Sequence, residues 1–344
     1  MKTEKKAVRY TGISYLRIIA TAAVIWLHTA GTIITSGTQL DEHSKMFILS
    51  LQSIMSWAVP VFFMITGCLL LQPEKEITAV QCVRKYALRA FLALFIFGIP
   101  FAMLILVFES RAINLQIVLK AITAVLTGDS FAHLWYLYTL IGIYLILPVL
   151  RSFVKNSSDK DMIIVTAALF VMDFIVPFIS TITGLSLDFS IPFTYPIFYM
   201  LAGYYISAKK PRLLHNTKIN ILLLAVLTAS TVISVYNDEI GDFLHNSVLT
   251  ALKAILIFSC FTIPVWNGSG KHSDIIWKID RLCFGAYLIH PLFIQFSYRF
   301  LEFTPMSFST YYLAFIPFFI AFLILSFLGS ALMRVIKPLK KYVL

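Results

Sequence analysis

Two ionisable side chains stand inside the first long apolar run, in the segment TyrLeuArgIleIleAlaThrAlaAlaValIleTrpLeuHis: Arg17 and His28. They are eleven positions apart. Over that interval a helix turns about 20° beyond three full turns and rises roughly 16 Å. Both side chains therefore fall on one stripe, together with Thr21 and Gly31. A charge at the bilayer centre costs about 2.5–3.5 kcal/mol on insertion scales, so one that persists there usually faces a cavity. The stripe would then line a passage with a cation near one end and an imidazole about two-thirds of the way across. The plainer reading is that Arg17 snorkels to the lipid headgroups and His28 makes a hydrogen bond between helices. Geometry alone leaves both open.

Other polar groups lie at matching depths. His133-Leu134-Trp135-Tyr136 opens the fourth apolar run. Trp and Tyr suit an aromatic belt, whereas His133 is not a belt residue. Tyr287-Leu288-Ile289-His290-Pro291 puts another histidine mid-run. Its bland role is to cap the carbonyl that Pro291 leaves free. Asp173 is a lone intramembrane carboxylate that could orient a histidine or pair with a cation such as Lys253. Pro60-Val61-Phe62-Phe63-Met64-Ile65-Thr66-Gly67 reads as a structural segment suited to close helix packing.

The elements that must position these groups follow from composition. Of 344 residues, 59% are hydrophobic and 13% charged, with a mean hydropathy of +0.85. Soluble domains carry about 45–50% apolar and about 25% charged residues, so this chain is an integral membrane protein. Apolar runs occur at 13–34, 45–71, 88–108, 133–150, 162–182, 191–208, 219–236, 246–265, 282–301 and 310–336. They predict an all-α, polytopic bundle of about ten transmembrane helices, in which Pro60, Pro100, Pro177, Pro291 and Pro317 are tolerable. The net charge of +11 is spread over short clusters between spans rather than gathered into a nucleic-acid-binding tract. Twenty-two Lys and Arg fall on one side and only Lys45, Arg111, Lys120 and Arg299 on the other. By the positive-inside rule both termini are cytoplasmic. The first run follows a basic segment, as a signal peptide would, but at about 22 residues it exceeds a typical 7–15-residue apolar core, so an uncleaved first helix is expected. The 109–132 loop has Leu115, Val118, Leu119, Ile122 and Val125 at helical spacing, which predicts a short interfacial or re-entrant helix. Cys68, Cys82, Cys260 and Cys283 show no CxxC spacing and read as reduced, structural thiols with no metal site. Residues 1–344 are expected to form a single domain without an internal repeat.

At these residues the sequence resembles the acyltransferase 3 family of membrane-bound acyl- and acetyltransferases. The resemblance covers essentially the whole chain. It rests on Arg17 with His28, the ProValPhePheMetIleThrGly segment, HisLeuTrpTyrLeu from His133, and TyrLeuIleHisPro ending at Pro291. It is similar above all to stand-alone members that O-acetylate cell-surface glycans. Three departures stand out. An Asp commonly lies three positions before the family's Arg, but here that position is Ser14, so a carboxylate orienting Arg17 must come from elsewhere. The family's usual Ser before the glycine is Thr66, and its basic element in the first inner loop is loose, as Arg84-Lys85 and Arg89.

The resemblance implies acyl transfer across a bacterial cytoplasmic membrane. Acetyl-CoA would serve as donor substrate rather than as a permanently bound cofactor, and a hydroxyl of a cell-surface or lipid-linked glycan would accept. His28 would act as general base, since an imidazole titrating near 6.5 can take a hydroxyl proton. Trp135, Tyr136 or His290 could donate to the oxyanion, with His133 nearby. Arg17, helped by Arg84, Lys85 and Arg89, would hold the anionic nucleotide. A rival of another class is a secondary transporter or flippase for a lipid-linked sugar, which a membrane His and Asp would also suit. A further rival is a non-catalytic sensor, for which the inner loops look too short.

Overall fold

Apolar segments placed in lipid must satisfy their backbone groups internally, which leaves helices or closed barrels. The computed structural model describes residues 11–187, 194–236, 247–263 and 271–344, and every regular element among them is helical. In chain order these are α1 (Thr11–Thr35), α2 (Glu42–Met55), α3 (Ala58–Leu70), α4 (Leu88–Ser110), α5 (Leu115–Thr127), α6 (Trp135–Asn156), α7 (Asp159–Phe170) and α8 (Val176–Thr183). They continue as α9 (Thr194–Lys209), α10 (Thr217–Val235), α11 (Val248–Thr262), α12 (Lys271–Asp280), α13 (Cys283–Gln295), α14 (Tyr311–Met333) and α15 (Lys337–Tyr342).

Among the described residues, seven stretches are long and apolar enough to cross a membrane: Thr11–Thr35, Glu42–Leu70, Ala79–Ser110, Trp135–Asn156, Asp159–Thr183, Thr217–Val235 and Tyr311–Met333. They coincide with seven of the ten expected spans. The other three fall on shorter helices: α9, α11, and α13 with its π-helical extension Phe296–Phe300. The N-terminal cations Lys2, Lys5, Lys6 and Arg9 lie outside the described residues.

Three details differ from the expected outline. The second span is not one helix: it breaks between α2 and α3, where the Ser56 hydroxyl turns back to Ser53 O at 3.0 Å. Pro60 accounts for the break, because it has no N–H to return to the carbonyl of residue 56. The third span begins earlier than its apolar run, since a short turn and the π-helix Cys82–Ala87 lead into α4 without a gap. Arg84, Lys85 and Arg89 therefore stand on a helix rather than in a loop. The 109–132 segment does fold as a helix, α5, capped by Asn114 (Oδ1 to Ile117 N, 3.0 Å) and ended by Gly128 at φ 89°. Its buried face is Ile117, Ala121 and Val125, however, whereas Leu115 and Leu119 point outward. In a membrane protein the bulky leucine side can face lipid, so apolarity alone does not reveal which face packs against protein.

The structural segment in α3 behaves as its composition suggests. A Cβ on Gly67 would lie 1.9 Å from Met200 O, and one on Gly203 would lie 2.2 Å from Met64 O. α3 and α9 thus meet backbone to backbone, in the manner of small-residue contacts between membrane helices. A second packing centre joins α1, α2, α13 and α14 through Ile25, Ile33, Ile48, Ile294, Phe315 and Phe322. Trp26 sits at its edge, donating to Leu51 O at 2.9 Å and meeting Phe315 and Phe319 edge-on. These three contacts hold α1 in place, and α1 presents the stripe.

The intramembrane ions do not pair as expected. Asp173 accepts from the Thr194 hydroxyl, and among the described residues no cation or histidine reaches it. Lys253 is fully buried and donates to Ser53 O (2.7 Å) and Thr231 Oγ1 (3.2 Å). Its ammonium closes the carbonyl left open where α2 ends, so it joins helices rather than charges. All four cysteines are free thiols.

Candidate active site

Three histidines from distant parts of the chain converge. His28 comes from α1, His133 from the one-turn 3-10 helix Ala132–Leu134 that leads into α6, and His290 from α13. Ring centroids lie 4.9 Å apart for His28–His290, 5.4 Å for His133–His290 and 6.2 Å for His28–His133. His133 and His290 are buried, at 2% and 0% exposure. Tyr287 completes the wall: its ring is 5.6 Å from His133, and its hydroxyl donates to His133 O at 2.6 Å.

Pro291 explains the state of His290. A proline at 291 leaves the carbonyl of Tyr287 without its helical donor, and His290 Nδ1 contacts that carbonyl at 2.7 Å. A carbonyl only accepts, so Nδ1 carries the hydrogen. In the neutral ring the lone pair is then on Nε2, a buried atom with no hydrogen-bond partner. The capping role and a chemical role therefore coexist in one ring. Both ring nitrogens of His133 likewise lack hydrogen-bond partners. Buried polar atoms are seldom left unmade, so this cluster is short of hydrogen bonds at the place where α1, α6 and α13 meet.

A cavity of about 420 Å³ runs from the N-terminal part of α1 up to the histidines. Arg17, Val24 and His28 line it along α1, in keeping with a shared stripe. Thr66 of α3, and Trp135 and Tyr136 of α6, line its upper part. Tyr136 is packed by Phe63 and Tyr287, with centroids at 5.1 and 5.7 Å. At the lower end Arg17 is joined by Arg89, Arg281 and Arg334.

The carboxylate that Ser14 lacks is supplied by Asp280, 263 positions beyond Arg17. Arg17 Nη1 donates to Asp280 Oδ1 at 2.7 Å, and the Ser14 hydroxyl donates to Asp280 Oδ2 at 2.9 Å. Both ends of this ion pair are largely shielded, with side-chain exposures of 28% and 13%. Arg17 is thus held by a protein carboxylate, which fixes one edge of its guanidinium. The neighbouring arginines are tied as well: Arg89 Nε to Val343 O at 2.6 Å, and Arg334 Nη1 to Arg281 O at 2.9 Å and Leu344 O at 3.0 Å.

The structure brings Arg17, His28, Arg89, His133, Trp135, Tyr136 and His290 to one region. Arg84 and Lys85 stay outside it, exposed on the π-helix, with Lys85 lying over the Tyr86 ring at 5.5 Å. Their places at the mouth are taken by Arg281 and Arg334, which sequence reasoning missed, as it missed Asp280 and Tyr287. The signal that could have found Asp280 was an acid directly before Arg281 in the basic cluster that precedes the ninth run, a segment that also carries Asp274. Among the described residues no group of His, Cys, Asp and Glu is arranged to hold a metal ion.

A bundle of membrane-crossing helices enclosing a chamber with buried imidazoles at one end and guanidiniums at the other defines a multi-pass membrane protein with an internal site. Residues 10–335 match the acyltransferase 3 family, described as an acyltransferase domain. The chain belongs to that family and is a membrane acyltransferase. No curated protein and no solved structure matches it.

Proposed function

We propose that the protein is an O-acetyltransferase of a bacterial cytoplasmic membrane. It moves an acetyl group from cytoplasmic acetyl-CoA to a hydroxyl of a cell-surface or lipid-linked glycan on the far side. The observation that carries this reading is the single cavity with four arginines at its lower end and His28 and His133 at its upper end. Guanidiniums suit the phosphates of a nucleotide, which they can contact bidentately. The roughly 16 Å rise along α1 between Arg17 and His28 suits an extended donor with its charged end at the mouth and its thioester deep inside. The basic loops support an orientation with that mouth facing the cytoplasm.

In the transfer, the acceptor oxygen attacks the thioester carbonyl, a C–O bond forms and the C–S bond breaks. His28 takes the hydroxyl proton as general base and returns it to the departing thiolate. The oxyanion needs a donor. Neutral His290 has no N–H to spare, because Nδ1–H is used on Tyr287 O, so Trp135 Nε1 and the Tyr136 hydroxyl are the better choices. His290 Nε2 offers instead a second acceptor beside His28, able to hold the proton between the two halves of the reaction.

The test uses purified protein in lipid nanodiscs, acetyl-CoA labelled in its acetyl group, and surface glycan from the organism's own cells. Label is expected to move to the glycan as an ester, with release of free CoA thiol. Sugar flux across vesicles without any consumption of acetyl-CoA would replace this reading with the carrier.

A further inference from the structure

A second cavity, of about 660 Å³, opens at the other end of α1, around Thr35–Thr38 and the turn after α13. Nothing in the transfer chemistry above uses it. Its volume falls within the roughly 300–1,000 Å³ typical of ligand sites, which are mostly apolar with a few convergent polar groups. Here the apolar part is aromatic, including Phe101, Phe108, Phe131 and Tyr298. The polar part is Glu109, Gln295, Arg299 and Glu302.

Unmet hydrogen-bonding demand inside it points to a ligand, and exposed carboxylates stand at its rim. Gln295 Oε1 and Arg299 Nε are buried and have no hydrogen-bond partner. Neither Glu109 nor Glu302 makes an ion pair among the described residues. Glu302 ends the π-helical extension in the left-handed region at φ 51°, as Arg111 and Lys210 do after their own helices. The turn that holds it is firmly made: Ser297 Oγ donates to Phe303 O at 2.7 Å, and Phe303 N donates to Ser297 O at 2.9 Å. Tyr298 pins the same turn to α1 by donating to Thr29 O at 3.0 Å, next to His28.

The two cavities approach the same histidines from opposite ends. Phe101 and Phe131 line the second cavity, and their rings lie 5.8 and 5.3 Å from His133, which lines the first. Pro291 lines the second cavity and directly follows His290. The partition is therefore one aromatic layer thick. Two carboxylates, one amide and one guanidinium favour a neutral ligand rich in hydroxyls over an anionic one, and aromatic faces suit the C–H face of a sugar ring. We infer that this cavity is the acceptor subsite. It takes a neutral saccharide whose hydroxyls meet Glu302, Glu109, Gln295 and Arg299, and it delivers one hydroxyl past Phe101 and Phe131 to the histidines. The inference rests on the acetyl-transfer reading for what happens to that hydroxyl, but not for the binding itself.

Two measurements separate the two claims. In the first, Ser307→Cys on the cavity rim is labelled from outside by a membrane-impermeant maleimide, with and without lipid-free surface polysaccharide from the organism's own cells, and with phosphatidylglycerol vesicles as a separate arm. Protection by the polysaccharide alone is the expected result; protection by the vesicles alone, or by neither, overturns the inference. In the second, Glu302→Gln and Gln295→Leu are compared with wild type in the nanodisc assay. We expect the acceptor KM to rise about tenfold, as loss of a hydrogen bond to a charged group does, with the Kd for acetyl-CoA within about twofold. Equal weakening of donor and acceptor, or an unchanged acceptor KM, would overturn it. Protection without any acetyl transfer by wild type would sink the acetyl-transfer reading and leave the saccharide site standing.

Discussion

The two ends of the cavity along α1 differ in how fully their polar atoms are used. At the arginine end nearly every guanidinium is tied: Arg17 to Asp280, Arg89 to Val343 O, and Arg334 to Arg281 O and Leu344 O. At the histidine end His290 Nε2 and both nitrogens of His133 are buried without partners. An arginine already held by the protein loses little freedom when a ligand arrives, so preorganisation serves binding there. On the acetyl-transfer reading, an unpartnered imidazole nitrogen is available to a proton that appears only during reaction, so it would serve chemistry. One end is finished before the substrate comes; the other is completed by it.

The contrast can be broken in four places. The largest effect is expected for His28→Ala, which should lower acetyl transfer by about 10²–10⁴-fold, the range of a lost general base, while leaving the Kd for acetyl-CoA nearly unchanged. Normal transfer by a folded His28→Ala protein would remove that residue from the chemistry. Next comes Arg17→Ala. Its donor Kd should weaken by roughly 10–100-fold, as for loss of a charge-assisted contact, with the acceptor KM changed far less. Asp280→Asn keeps the shape but removes the charge that fixes Arg17, and a donor Kd about 3–10-fold weaker is expected, since a shielded ion pair exceeds the value of an exposed one. Isothermal titration with CoA measures both. The smallest effect sharpens the comparison from outside: Arg84→Ala with Lys85→Ala should leave donor binding within about twofold, because solvent-exposed charges are largely screened. A large loss there would place the nucleotide along the π-helix instead of inside the mouth.

Much of this was legible in the sequence for a physical reason. Burying backbone in lipid forces helices, so the ten apolar runs coincide with helical elements, and an eleven-residue spacing on a 3.6-residue period puts Arg17 and His28 in one cavity. The grouping of His133 and His290 with His28 could be suspected from depth alone. Partners far apart in sequence were not legible. Asp280 reaches Arg17 across 263 positions, and nothing in either segment's periodicity marks the pairing. The basic cluster Arg84-Lys85-Arg89 illustrates the converse. Composition groups all three, but only the helix phase decides that Arg89 lines the cavity while Arg84 and Lys85 do not. The packing face of α5 failed for a related reason, because in lipid a leucine can be well solvated on the outside.

The proline after His290 has an effect beyond bending its helix. By denying one carbonyl its usual backbone donor, it recruits the adjacent ring to fill the gap, and so selects which tautomer that ring adopts. A backbone defect is thereby converted into a fixed direction for a lone pair. Helix geometry, rather than a neighbouring acid, sets the polarity of this imidazole, which spares the interior of the bundle from having to shelter a second negative charge.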